Sequence, residues 1–247
     1  MPYNIIVLIK QIVDIDLLKV DSSGAPQVQG LPLRLETLSK NAVEEAVRLK
    51  EKHGGKVTAI CFGTDKSTSA MKEAYAMGVD EGYILTGYTG NNPSLTAEVI
   101  SRKIKEIPHD LIILGNQSAE SYTGMLQGKL SAILDEPLLS DAVKVEITEG
   151  NASVTMALEN ENIVAQAQMP VVISVTQEIN EPRFPPVMQL MAAGKKKINI
   201  EAAQGTGKNT VEILSNTAPK SERRKVVFED PEKGIPEVAK VIKEAIK

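Results

Sequence analysis

The chain has 247 residues, of which 42% are hydrophobic and 24% charged, with a formal net charge of -4. That length suffices for one large or two small domains with a core, and the mildly acidic balance excludes nucleic acid as the main partner. A single cysteine excludes an internal disulfide, and two histidines beside it make a poor zinc set. Without an 18-residue apolar run or a signal-peptide pattern, the default expectation is a cytoplasmic or matrix protein.

Asn4 to Ile9 is a continuous apolar run and reads as a strand buried on both faces, as in a parallel sheet. Asp21 to Pro32 carries Ser, Gly and Pro punctuation and reads as an excursion or hairpin. Asn41 to Lys52 is a helix with Ala42, Val43, Ala46, Val47 and Leu49 as its apolar stripe. Glu44, Glu45, Arg48 and Lys50 are expected on its solvated face, and Ser39 is the expected N-cap. Lys56 to Phe62 is a second strand that holds Cys61, whose buried position suggests an inert thiol. A helix with Ala70, Met71, Ala74 and Tyr75 inward follows, then a short strand at Tyr83 to Thr86.

Asn92-Pro93-Ser94 starts another helix, with proline in its first turn. Pro108 stops it, and Leu111 to Leu114 reads as a buried strand. A helix is expected from Tyr122 to Leu134, with Leu126, Leu130 and Ile133 inward. This alternation predicts an α/β fold, a doubly wound and mostly parallel sheet, Rossmann-like in topology; whether it is of the adenine-nucleotide-binding type turns on the loops at its carboxyl edge. After Pro137 the texture changes to short strands at Val143 to Ile147, Ser153 to Leu158 and Ile163 to Gln168, an added β-meander, followed by a buried run at Val171 to Val175. Three prolines between Pro182 and Pro186 predict an extended loop, with a helical turn at Val187 to Met191. Residues 1–200 are therefore expected to form one α/β domain. Residues 201–247 are expected to form a C-terminal arm, extended over Gln204 to Arg224 and helical from Lys233, that packs on a partner chain or wraps back on its own.

The stretch Asp110 to Gly124 organises the functional reading. A buried strand runs into the small polar segment Gly115, Asn116, Gln117, Ser118, Glu120, Ser121, Thr123, Gly124, and a helix follows. Open α/β sheets bind nucleotides at such carboxyl ends, where loop and helix N–H groups converge. The same pattern also fits an ordinary strand-to-helix turn, because the loop lacks the glycine fingerprints of dinucleotide folds. Gly205-Thr206-Gly207-Lys208 is not a phosphate loop, since Ala202 and Asn209 stand where Gly and Ser or Thr are required. Lys195-Lys196-Lys197 reads as a solvated run, with docking to an acidic partner or phosphate as the alternative. No nucleophile elbow or Ser/His/Asp set is present. A nucleotide site without catalytic groups suits a carrier subunit, in which the cofactor does the chemistry.

The runs NAVEEAVRLKEK from Asn41, AMGVDEGYIL from Ala76, DLIILGNQSAES from Asp110 and INEPRFPPVMQLMAAGKKKI from Ile179 together resemble the electron transfer flavoprotein beta subunit. The likeness spans residues 4 to 200 in order, and the NEPR segment followed by three lysines is its most specific part. The resemblance implies a heterodimer with an alpha subunit that holds an FAD. It also implies a nucleotide in the beta subunit itself: AMP in the respiratory branch, or a second FAD that oxidises NADH in the electron-bifurcating branch. By the same resemblance the cofactor-binding residues are Leu8, Ile9 and Lys10 after the first strand, then Thr37, Leu38, Ser39 and Asn41 about the first helix start. Phe62 and Gly63 after the second strand belong with them, as do Gly115, Asn116, Gln117, Ser118, Glu120, Ser121, Tyr122, Thr123, Gly124, Met125 and Leu126.

Two departures stand out. Glu36-Thr37-Leu38-Ser39 replaces the family's Asn-Pro-Phe phrase, and Glu120 replaces the usual aspartate. Both resemble the Fix-type branch, so FAD in the beta site is weighed ahead of AMP. Pro182 to Met191 resembles the loop by which the family docks to acyl-CoA-type or other dehydrogenases, with Val187 where leucine is usual. A membrane quinone oxidoreductase is a further possible acceptor partner by the same likeness. The competing readings are a stress-type adenine-nucleotide module, which leaves the Asn180 to Lys197 loop unexplained, and a nucleotide-activating ligase, whose Ser-Gly-Gly loop is missing after the first strand.

Overall fold

The computed structural model describes residues 1–88, 92–203, 212–219 and 226–246. In chain order the elements are β1 (Tyr3–Leu8), β2 (Gln11–Val13), β3 (Lys19–Val20), β4 (Pro26–Gln27), β5 (Leu33–Leu35), α1 (Thr37–His53) and β6 (Gly55–Gly63). There follow α2 (Thr68–Met77), β7 (Glu81–Thr86), α3 (Pro93–Ile104), β8 (Leu111–Gly115), α4 (Leu126–Leu134), β9 (Leu138–Thr148) and β10 (Asn151–Ala157). The last are β11 (Asn162–Gln168), β12 (Val171–Val175), α5 (Val187–Ala193), β13 (Asn199–Ala202) and α6 (Pro231–Ala245).

Among the described residues nine strands make one sheet in the order β11-β10-β9-β12-β8-β1-β6-β7-β13. The pairs from β9 through β13 are parallel, and β10 is antiparallel to both its neighbours. The meander thus extends the main sheet. The chain starts mid-sheet at β1, steps outward to β6 and β7, and then returns through α3 to β8 on the other side of β1. That reversal is a topological switch point, and it opens a crevice at the strands' carboxyl ends.

Strand alternation builds two cores. Ile5, Val7, Ala59, Cys61 and Ile113 pack on one side with α1 and α2. Ile6, Leu8, Ile60, Phe62, Ile112 and Leu114 pack on the other with α3 and α4. Both faces of the central strands are covered, which explains the unbroken apolar runs in the sequence.

Four sequence expectations need correction. The cap of α1 is Glu36, not Ser39: the Glu36 carboxylate is 1% exposed and accepts from Ser39 N at 2.7 Å and Ser39 Oγ at 3.1 Å. Helix α4 begins at Leu126 instead of Tyr122, because Tyr122 and Gly124 hold φ of 48° and 58°, left-handed values that no helix start can include. Leu130 of α4 is buried as expected, but Ile133 is exposed. Finally, Glu44 and Glu45 are buried rather than solvated, beneath the segment around Asn180 to Arg183. Of the lysine run, Lys196 Nζ donates to Val79 O at 2.9 Å, and the Lys197 carbonyl accepts from Tyr75 Oη at 2.7 Å.

Residues 1–19 and 28–214 form one unit, and residues 20–27 with 215–247 a second. In the second, the Asp21 carboxylate closes a turn by accepting from Ser23 N and Ala25 N. Its helix α6 is capped by Asp230 and carries an exposed apolar stripe of Ile235, Val238, Val241 and Ile242. The arm expected at Gln204 to Arg224 lies outside the described residues except for 212–219, which form neither helix nor strand, and Gly205 to Lys208 lie outside them entirely.

Candidate nucleotide site

The cleft at the switch point follows from the ends of four strands and three helices. Leu8, Ile9 and Lys10 enter it from β1, Phe62 from β6, Tyr88 from beyond β7, and Leu114 and Gly115 from β8. Glu36 and Ser39 come from the start of α1, Asn92, Pro93, Thr96 and Ile100 from α3, and Met125, Leu126 and Gln127 from α4. The loop residues Asn116, Gln117, Ser118, Ser121, Thr123 and Gly124 complete the lining. The space at the cleft is about 810 Å³ when the open solvent at its mouth is included.

One wall is apolar: Leu8, Phe62, Ile100, Leu114 and Leu126, with Phe62 edge-on to Tyr88 at 5.3 Å. Burial pushes the Tyr88 phenol above its ordinary range, so it stays protonated. The opposite character is supplied by hydroxyls and charge. Lys10 Nζ pairs with the Glu120 carboxylate and lies 3.5 Å from Ser118 Oγ, which in turn is 2.8 Å from Ser121 Oγ. Met125 gives α4 no side-chain cap, so first-turn N–H groups remain for an anion.

Glu36 fastens the loop to α1. Its Oε1 accepts from Ala119 N at 3.3 Å while Oε2 caps the helix. Lys10 N donates to Ser39 Oγ at 3.1 Å, and Glu36 N to Lys10 O at 2.9 Å. The loop lies so close to α1 that a Cβ on Gly115 would stand 2.7 Å from Leu38 Cβ.

Most of the residues picked from the sequence thus meet in one place. Thr37, Leu38 and Tyr122 instead line an adjoining depression with Thr176, Gln177 and Glu178, which shares Glu36, Asn116 and Gln117 with the cleft. Glu120 is not among the lining residues but pairs with Lys10, which is. Gly63 accepts from Tyr88 N at 3.2 Å through its carbonyl. Asn41 lies away from the cleft and donates to Asn180 O at 2.8 Å. Tyr88, Asn92, Pro93, Thr96, Ile100, Leu114 and Gln127 join the lining unexpectedly, and Glu36 does so where only a departure from the family's phrase had been noted. The Asn92-Pro93 helix start was a usable signal, because a helix following an inner strand of such a sheet opens at the carboxyl edge. Among the described residues the lining contains neither histidine nor cysteine, and burial holds the Cys61 thiol up at about 11.

Fold and cleft define a doubly wound α/β protein with a cleft at the switch point. A family model described as "Electron transfer flavoprotein domain" matches residues 28–205. The chain is 32% identical over 238 residues to the electron transfer flavoprotein subunit beta of Thermoanaerobacterium thermosaccharolyticum, covering 91% of this chain and 92% of that one. It is 29% identical over 249 residues to the subunit of the same name from Syntrophomonas wolfei, covering 100% and 98%. With that of Bacillus subtilis it shares 28% over 198 residues, covering 79% and 77%. The chain belongs to the electron transfer flavoprotein family, in its beta-subunit branch. Membership implies an alpha subunit as partner and a flavin-related cofactor in the assembly. No helix among the described residues is long and apolar enough to cross a membrane.

Proposed function

We propose that the cleft holds an adenylate, and that the chain carries electrons together with an alpha subunit. The supporting observation is the pairing of an apolar wall with a hydroxyl-lined, lysine-bearing rim at the switch point. A base needs the first and a phosphate the second. The residues present fit such a group: Gln127 Oε1 is buried without a partner among the described residues, and the start of α4 is uncapped. Leu8, Phe62, Ile100, Leu114 and Leu126 would hold the base and sugar. Lys10, Ser118, Ser121 and Thr123 would face the phosphate.

FAD is favoured over AMP because the adjoining depression continues past Asn116 and Gln117, giving a longer ligand somewhere to go. A flavin, when bound, supplies reversible electron acceptance. The chain's own residues bind it, orient it and shield its apolar parts from water. FAD here makes the protein a bifurcating type that takes electrons from NADH; AMP makes it a simple carrier. The exposed loop Pro182 to Met191 is suited to meet a dehydrogenase of the acyl-CoA or another type, since Phe184 is 98% and Val187 72% exposed. Residues 201–247 are assigned to packing on the alpha subunit, supported by the exposed stripe of α6. The cytoplasm is the assigned compartment, and a membrane quinone oxidoreductase is a possible acceptor.

Co-expression with the alpha subunit, followed by denaturation and chromatography of released nucleotides, tests this. Two FAD per heterodimer is the expected result. One FAD and one AMP would move the chain to the non-bifurcating type. Release of neither nucleotide beyond the alpha subunit's own FAD would refute the cleft's assignment and favour a purely structural site.

A further inference from the structure

Gln127 is the second residue of α4, lines the cleft and is only 9% exposed. Its Oε1 is buried and finds no donor among the described residues. Several other polar groups of the lining have partners within the protein. Asn116 Nδ2 donates to Asp141 Oδ1 at 2.8 Å, Ser39 Oγ to Glu36, Lys10 to Glu120, and Ser118 and Ser121 bond each other. Among the described residues of this lining, Gln127 Oε1 is the fully buried side-chain atom left without a partner, with apolar Ile100, Leu114 and Leu126 among its fellow lining residues. An acceptor buried without a partner is costly to the free protein, and folded chains rarely carry one.

We propose that Gln127 is the residue by which the cleft selects its nucleotide, its side-chain carbonyl accepting a hydrogen bond from a donor on the ligand. Resting on the adenylate reading above, this adds which protein atom discriminates. Two donors have the right chemistry: the exocyclic amine of adenine and a ribose hydroxyl. Hypoxanthine puts a carbonyl where adenine has its amine, which would set acceptor against acceptor. A deoxyribose simply removes the donor. A buried acceptor built to receive a donor rejects a ligand that lacks it, because the group is then left unpaired in a dry site.

The test uses the full chain with its alpha subunit, freed of nucleotide bound at the beta site. Equilibrium dialysis is run against AMP, IMP, 2′-deoxy-AMP and 3′-deoxy-AMP, for the natural protein and for Gln127→Met. Thermal unfolding of the nucleotide-free proteins is measured alongside. The expected result is natural protein that binds AMP better than at least one analogue. Gln127→Met should bind AMP about tenfold more weakly, with that preference erased. The IMP and deoxy-AMP arms tell amine from hydroxyl. The nucleotide-free variant should melt at the same temperature or higher, since the substitution deletes an unpaired acceptor and keeps the volume. Three outcomes overturn the proposal: AMP affinity within twofold of the natural protein, weaker binding with the preference intact, or a variant that melts several degrees lower, which would make Gln127 a packing residue. Natural protein that takes up none of the four nucleotides refutes the adenylate reading itself, a result distinct from the others.

Discussion

Arg183 is clamped to Glu44. Its Nε lies 2.8 Å from Glu44 Oε2, and its backbone N donates to the same oxygen at 3.1 Å. The guanidinium also spans Glu51, at 2.6 and 3.0 Å, while Arg48 Nε takes the other Glu44 oxygen at 2.6 Å. Asn180 adds a second attachment through Asn41 and Glu45. A proline-rich segment with few apolar contacts of its own is thus fixed to the side of α1. This lets Phe184, Val187 and Met188 stand in solvent on a fixed base.

Removing the clamp has a calculable consequence. In Arg183→Met, Glu44, whose side chain is 2% exposed, keeps only Arg48. Breaking a fully buried pair costs about 3–5 kcal/mol. Because the Arg183 side chain is itself 32% exposed, a loss of about 2 kcal/mol is expected after discounting for solvent. Urea unfolding measures it directly, and proteolysis should cut first between Glu181 and Val187. Unchanged stability together with an intact loop would show that the prolines, rather than the ion pairs, hold the segment.

The neighbouring glutamates should respond to pH in opposite senses. Burial pushes the Glu44 carboxyl up, but the Arg183 and Arg48 guanidiniums more than offset it and leave it below the usual glutamate range. Its stabilising share is complete above the ordinary glutamate value and is lost as pH falls through its own, lower one. Glu45 is raised, chiefly by burial. There the folded protein holds the proton more tightly than the unfolded chain, so stability declines as pH climbs from the ordinary value through the raised one. Glu45→Gln should therefore melt at an equal or higher temperature than the natural protein near neutrality. Glu44→Gln should melt lower there, with its deficit closing in acid. Melting curves from about pH 3 to pH 7 separate the two.

The same residues show where sequence reading stopped. Helix α1 was legible from its alanine and valine stripe, but nothing in that pattern says that a distant arginine will cover Glu44 and a distant asparagine Glu45. Helical periodicity reports one buried face, and a second one depends on a contact 139 positions away. The parallel strands were legible because burial on both faces leaves unbroken apolar runs. Strand β13 was not: four residues, Asn199–Ala202, hold their place by pairing with β7 and through the Lys103 to Glu201 ion pair at 2.9 Å. In the cleft, the β8–α4 loop was readable from its own composition. Glu36 was hidden because a buried glutamate is an unusual cap, and Tyr88 and Thr96 were hidden because only the reversal of strand order at β1 brings α3 to the same edge.

Gly115 tests how tightly the loop must sit on α1. An alanine methyl there would stand 2.7 Å from Leu38 Cβ and 3.3 Å from the Leu38 carbonyl carbon. The second contact is backbone and cannot swing aside. Gly115→Ala should cost about 1–3 kcal/mol, the usual range for overpacking. It should also weaken adenylate binding, because Leu38 lies between Glu36 and Ser39 in the first turn that faces the cleft. Urea unfolding and AMP titration on the same preparation check both. Normal stability with normal binding would mean that the loop has room the structure does not show.

Lys10 and Glu120 form an ion pair at the cleft, with side chains 31% and 26% exposed, so an arriving phosphate must compete with a carboxylate for the same ammonium. Glu120→Gln removes the competitor and should tighten AMP several-fold, about 1 kcal/mol at most for so solvated a pair. Adenosine, which has no phosphate, should bind the variant and the natural protein alike. Raising the salt should shrink the AMP gain, since partly exposed charges are screened over roughly 8–10 Å. Lys10→Met should do the reverse, weakening AMP and sparing adenosine. If AMP and adenosine shift together in either variant, then the phosphate lies elsewhere, and the start of α4 becomes the group that receives it.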